Sequence, residues 1–255
     1  DLATEDYSFF VCNSANDPAR ERDYFRTLAS KQADGIICIS GLRRLDGEFV
    51  PHGIPVVCID RAPENDLGFP HVGSDNIGGG YMATEHLIER GCKNILSISS
   101  FTANYPGNER QMGYERALAA HGMPLCRDYQ LFVSGKQPSI IESEELVTDF
   151  LSTGCPVDGI FAQATTLQGQ NRVVGGELAT VPVVAAGKRG PEDVRLIGFD
   201  DSVYAQIPTP QISTIRRFPE RLAHEGCQAL LALLRGEKPE METLVPVKLV
   251  QRASS

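Results

Sequence analysis

Short apolar runs rich in β-branched residues alternate with longer amphipathic stretches along most of this chain. The runs lie at 7–12, 35–40, 55–60, 94–99, 129–133, 159–162 and 194–199. Each is nearly continuous instead of alternating in and out, the pattern of parallel strands covered on both faces. Helical patterns occupy 18–32, 76–90, 109–121 and 139–151, with a long amphipathic one at 219–234. Strand–helix alternation of this kind predicts βαβ units and doubly wound parallel sheets. The punctuation agrees. Asp17 ahead of Pro18 predicts a capped helix start and Asn76 a second, while Gly91, Gly122 and Gly236 stand where helices should stop.

So many strands exceed what one sheet comfortably takes, and 255 residues suffice for two α/β lobes. The expected division places 1–93 with 217–238 in the first lobe and 94–216 with 239–255 in the second. In open α/β sheets, ligands bind beyond the carboxyl ends of the strands. The positions just after the runs are therefore the ones to inspect: Ser40-Gly41, Asp60-Arg61, Ser74-Asp75, Ser100 to Tyr105, and Asp200-Asp201. Gly78-Gly79-Gly80 falls inside a helical pattern, where backbone N–H groups are used internally, so close packing on a sheet or a second subunit is expected there instead of a phosphate cradle. That glycine-rich helix, together with Leu222, Leu230, Leu233 and Leu234 of the last helix, predicts a homodimer.

Charge and composition narrow the function. A net charge of −9 with scattered basic residues argues against nucleic-acid binding by this segment. No apolar run approaches the roughly 18 residues of a membrane span, and no signal peptide opens the chain. Seven cysteines, none closer than 20 residues to the next, exclude CxxC metal and redox motifs. Such an odd, dispersed set fits reduced thiols in a reducing compartment, with Cys12, Cys38 and Cys58 serving as small hydrophobes in apolar runs. There is no P-loop, GxSxG elbow, HExxH or strand-borne GxGxxG, and the five histidines are isolated from one another. An enzyme is not expected, nor a cofactor or metal. A cleft-facing carboxylate at Asp200 suits hydrogen bonds from sugar hydroxyls, and Arg110 offers a fork of donors for hydroxyls or an anionic group.

A series of motifs in order resembles the effector domain of lactose/galactose-type (LacI/GalR) transcriptional repressors. They include Ile54-Pro55-Val56-Val57-Cys58-Ile59-Asp60-Arg61, Val72-Gly73-Ser74-Asp75-Asn76, Arg110-Gln111-Met112-Gly113-Tyr114, and Pro191 through Gly198-Phe199-Asp200-Asp201. Pro210-Gln211-Ile212-Ser213-Thr214-Ile215 and the ending Leu244 to Ser254 complete the set. The resemblance implies a two-lobed periplasmic-binding-protein-like fold of type I, with three crossovers and a small effector, sugar-like by default, held between the lobes. It also implies a cytoplasmic homodimer that reaches operator DNA through an N-terminal helix-turn-helix headpiece lying outside this chain. It assigns ligand contact to Arg110 and Asp200, with Asp75, Arg61, Ser100 and Tyr105 as further candidates. The chain departs from the family in lacking the usual opening strand. Ala164-Thr165 stand where Asn-Asp is usual, polar residues surround Gln137 where an aromatic often stacks, and the segment 166–190 is longer than usual. A secreted sugar-binding protein of a transporter shares the fold and is the alternative.

Overall fold

The computed structural model describes every residue except 1, 16, 43, 46, 48, 49, 51, 52, 62, 66, 101–105, 135–138 and 164–186. The chain forms two compact units, one of residues 1–74 with 218–246 and the other of residues 75–217 with 247–255. It passes from one unit to the other three times.

In the first unit a parallel sheet runs in the order β1 (Ile36–Cys38), β3 (Val56–Ile59), β5 (His71–Ser74), β11 (Glu242–Val245). The short strands β2 (Arg44–Leu45) and β4 (Glu64–Asn65) pair separately. Helix α1 (Pro18–Ser30) starts as expected, with the Asp17 carboxylate accepting from the N–H groups of Ala19 and Arg20. Its Phe25 packs on one face of the sheet with Ile36, Val56 and Cys58. On the other face Val57, Ile59 and Val72 meet Leu222 and Leu230 of α5 (Pro219–Leu234). Successive residues of β3 thus enter opposite cores, which explains its unbroken apolar run.

The second unit carries six strands in the order β12 (Lys248–Val250), β10 (Ser213–Arg216), β9 (Arg195–Asp200), β8 (Gly159–Ala162), β6 (Ile95–Ser100), β7 (Gln130–Val133). All neighbours are parallel except β10 and β12. Ile160 and Leu196 pack with Val147 and Phe150 of α4 (Ser139–Ser152) on one face. Phe161, Ile197 and Phe199 face the opposite core, shared with Ala83 and Leu87 of α2 (Asn76–Glu89) and Tyr114 and Leu118 of α3 (Pro106–Ala120).

The unit boundaries fall at different residues from those read in the sequence: residues 239–246, whose β11 pairs with β5, lie in the first unit, and α2 lies in the second. Expected in the first lobe, it is built into the second unit by its glycines. A Cβ on Gly79 would stand 2.7 Å from the Phe199 ring, and one on Gly80 2.1 Å from the Arg110 carbonyl oxygen. Gly113 answers from α3, where a Cβ would lie 2.2 Å from the Ile77 carbonyl oxygen. The close packing expected of the glycine run is therefore onto a sheet and a helix of the same unit. Leu222 and Leu230 are likewise core residues of the first unit, with Leu233 and Leu234 packed against them. The glycine run and the buried leucines of α5 are thus used inside single units, while Leu233 and Leu234 remain partly exposed.

Two further expectations change. Residues 7–12 form no strand, and Phe9, Phe10 and Val11 are 70–84% exposed. Cys12 is exposed with them, not held in a core. Strands β5, β10, β11 and β12 were not foreseen.

Candidate functional site

In the second unit, polar side chains from separate elements converge on Arg110, one turn into α3 and only 5% exposed. Its Nε donates to the Asn76 Oδ1 at 3.0 Å. One terminal nitrogen donates to the backbone carbonyl of Gln163, just past β8, and the other to Asp200 Oδ1 at 3.3 Å. The central carbon of the guanidinium stands over the Phe199 ring, 3.8 Å from its centroid. Asn76 is itself fixed, its amide donating to Glu109 Oε2 at 2.9 Å. The donors of Arg110 are thus directed by partners from different parts of the unit, α2, the residue after β8, and β9, with an aromatic ring below the charge.

Asp200 ends β9 in a left-handed conformation, φ 80°, which Asp tolerates better than most side chains. Its Oδ1 accepts from Arg110 and from Arg217, both at 3.3 Å. Arg217 follows β10, so a carboxylate and two guanidiniums meet at the carboxyl ends of adjacent parallel strands. The carboxylate side chain keeps 22% of its surface exposed while Arg110 is nearly buried. Charge-assisted bonds of this kind hold both partners in defined geometry and strengthen in a low-dielectric setting. Asp201 points elsewhere. Its side chain is 3% exposed and bridges Arg216 and Arg252, each at 2.6 Å. The adjacent aspartates therefore divide between a partly open carboxylate and a structural tie to the C-terminal strand.

The other sequence candidates have separate placements. Asp75, not Asn76, is the N-cap of α2, its Oδ1 accepting from Gly78 N–H at 2.8 Å. Asn76 occupies the first helical turn, which turns its amide toward Arg110. Arg61 belongs to the first unit, half-buried after β3. In that unit Ser40 donates to Glu21 Oε1 at 2.6 Å and Gly41 N–H to Glu21 Oε2 at 3.0 Å, a local cap on the strand end. Ser100 closes β6, but its side chain, like Tyr105, Gln137 and Ala164-Thr165, lies outside the described residues. Asn76, Phe199, Gln163 and Arg217 were not singled out as site residues from sequence. Only Arg217 carried a usable signal, as the basic residue after a run in the Ser213 to Ile215 motif.

Burial pushes the Cys92 thiol up to about 11, and burial likewise raises the Tyr114 hydroxyl, which donates to the Ile95 carbonyl. What the cluster can do is present a fixed pattern of charge and hydrogen-bonding atoms to a bound molecule.

Over residues 1–213 the chain matches the family described as periplasmic binding proteins and sugar binding domain of the LacI family, and over 179–255 the periplasmic binding protein-like domain. It is similar to the ribose operon repressor of Halalkalibacterium halodurans, 27% identical over 99% of this chain and 72% of the relative. Among solved structures it resembles the complex of the transcriptional regulator CelR with cellobiose, at 28% identity and a TM-score of 0.78 over 94% of this chain and 71% of that one. The fold of transcription regulator CcpA of Lactococcus lactis superimposes at a TM-score of 0.83 with 21% identity, covering 100% of this chain and 90% of that one.

Proposed function

Starting from a chain that belongs to the family of periplasmic binding proteins and LacI-type sugar-binding domains, we propose that it is the ligand-sensing core of a bacterial transcriptional repressor. The ligand is a small sugar or sugar derivative, bound without covalent chemistry. Carrying this reading is the Asp200 carboxylate, held by Arg110 and Arg217 at the ends of β9 and β10 and still partly open to solvent. A carboxylate accepts from vicinal hydroxyls, and a guanidinium fixed beside it donates to ring or hydroxyl oxygens. The family's regulators support a repressor over a transporter component, the alternative that shares this fold.

Such a sensor acts by having different affinities for the ligand in two states of the protein, a coupling of about 1–3 kcal/mol in typical cases. With a net charge of −9, this segment is a poor phosphate binder, so operator contact falls to a separate headpiece. The protein works in the cytoplasm as a homodimer. The dimer rests on the family resemblance, and sedimentation at several concentrations tests it, a constant monomer mass contradicting it. Among the described residues no helix is long and apolar enough to cross a membrane.

Thermal-shift screening of the purified chain against sugars, polyols, sugar phosphates and nucleosides tests the ligand class. A molecule that binds only the folded state at 100 times its Kd stabilises by about 2.7 kcal/mol. The expected outcome is a shift from polyhydroxylated compounds that is lost in Arg110→Ala. A flat response across the panel, or a shift indifferent to that substitution, contradicts the assignment.

A further inference from the structure

Beneath Arg110 runs a chain of buried amides that the ligand-contacting atoms do not include. Gln163 directly follows β8 and is wholly buried. Its Nε2 donates to Ser97 Oγ and to Gln111 Oε1, each at 2.6 Å, and Ser97 Oγ donates to the same Gln111 Oε1 at 2.6 Å. Gln111 passes the connection on, its Nε2 donating to Glu115 Oε1 and Gln130 Oε1 at 3.2 Å each. The side chain of Gln163 is thereby tied to β6, α3 and, through Gln111, to β7. Its backbone is also tied, the N–H donating to the Ile98 carbonyl at 2.9 Å. The carbonyl of the same residue is the group that receives the Arg110 guanidinium.

One atom in this arrangement has no hydrogen-bond partner. Gln163 Oε1 is buried and unbonded. Reversing the amide would set that oxygen's lone pairs against Gln111 Oε1, so the orientation is dictated by the donor side. An interior position that leaves an amide oxygen unsatisfied carries a desolvation cost that an apolar side chain of the same size would avoid. What the amide supplies, and an apolar group cannot, is the pair of donated bonds that anchor Gln163 itself at the end of β8.

We infer that Gln163 is the positioning residue for Arg110: its buried side chain anchors the backbone at the end of β8 so that its own carbonyl sets the guanidinium against Asp200. The residue touches no ligand; it acts through Arg110. The inference rests on reading Arg110 as a ligand contact only for its consequence in binding, since the positioning itself is visible without ligand.

Nuclear magnetic resonance of the isotope-labelled full chain, ligand-free, tests it. The Arg110 Nε–H signal is assigned by its disappearance in Arg110→Lys. In Gln163→Met, which keeps an unbranched side chain of similar length but deletes the amide, that signal is expected to shift and its solvent exchange to accelerate at least about tenfold, while backbone signals of β9 and β10 stay in place. A folded Gln163→Met with the wild-type Arg110 signal and exchange overturns the inference and leaves Gln163 a packing residue. Should that variant fail to fold, Ser97→Ala, which removes one acceptor, is read the same way, an altered Arg110 signal supporting the inference and an unaltered one overturning it. A panel without any ligand would count against the sensor reading while leaving this result standing, so the two claims fail separately.

Discussion

The two sheets end on different pairings, β11 lying parallel to β5 and β12 antiparallel to β10, and they differ more deeply at the opposite edge. In the second unit β7, α4 and β8 follow one another, and β7 lies outermost beside β6. In the first unit the apolar run from Tyr7, helix α1 and β1 follow in the same order, and Tyr7 stands as far ahead of Ile36 as Gln130 does of Gly159. Asp60 after β3 and Asp200 at the end of β9 even share the left-handed conformation, φ 66° and 80°. Yet β7 pairs along its length with β6, whereas residues 7–12 join no sheet and β1 ends the four-stranded sheet. The difference teaches that an apolar β-branched run is only a strand in waiting. Its backbone becomes part of a sheet when a neighbouring strand offers the ladder, and without one its side chains lie in water.

The sharpest contrast is between aromatic residues of the two regions. Phe199→Ala removes a ring that is fully buried under Gly79 and Arg110, and it should cost about 3–5 kcal/mol in urea unfolding. Phe10→Ser, at 81% exposure, should change stability by no more than about 0.5 kcal/mol. Comparable losses at both positions would mean that residues 7–12 are packed after all.

Glycines give the next contrast. Gly80→Ala drives a Cβ to 2.1 Å from a backbone oxygen on α3, and neither helix can yield alone, so about 3 kcal/mol should be lost. Gly226→Ala in α5 meets only the tip of Ile59, 2.3 Å away, which can swing, and the gain in helix propensity offsets part of the clash. A net change within about 1 kcal/mol is expected there. Equal penalties would deny that α2 and α3 are in backbone contact.

The smallest effect is in pH. His86 is buried with its Nε2 2.8 Å from Ser255 Oγ, and burial, helped by Arg90 and Arg195, lowers its pKa below the ordinary 6.5. Within the window just below that value the unfolded chain takes up a proton that the folded one refuses. Stability therefore falls as pH drops through the window and is fully regained above it. His86→Gln should flatten this acid limb of the unfolding midpoint, and an unchanged slope would assign it to other groups.

Much of the frame was legible in the sequence because burial on both faces leaves a long apolar run, as at Val56–Ile59 and Gly159–Ala162. Strands β11 and β12 escaped notice for the opposite reason. Glu242, Thr243 and Lys248 sit on edges where one face is solvated, so no run marks them. Arg110 and Asp200 were legible through motif and placement after strands. Asn76 was read as a cap because the residue types at 75 and 76 cap equally well, and only the backbone decides which carboxylate or amide reaches Gly78. Gln163 had no sequence signal. A buried glutamine is identified by the polar atoms around it, which come from Ser97 on β6 and Gln111 on α3, far from it in the chain.

In the proposed sensor, the paired Arg110 and Asp200 form the ligand contact. Isothermal titration of the strongest compound from the thermal screen into wild type and Asp200→Asn tests it most directly, since the amide keeps the shape and one acceptor while removing the charge. The account predicts a Kd at least about tenfold weaker, near 1.4 kcal/mol, with the variant still folded. An undiminished affinity in Asp200→Asn would place the ligand elsewhere and contradict it.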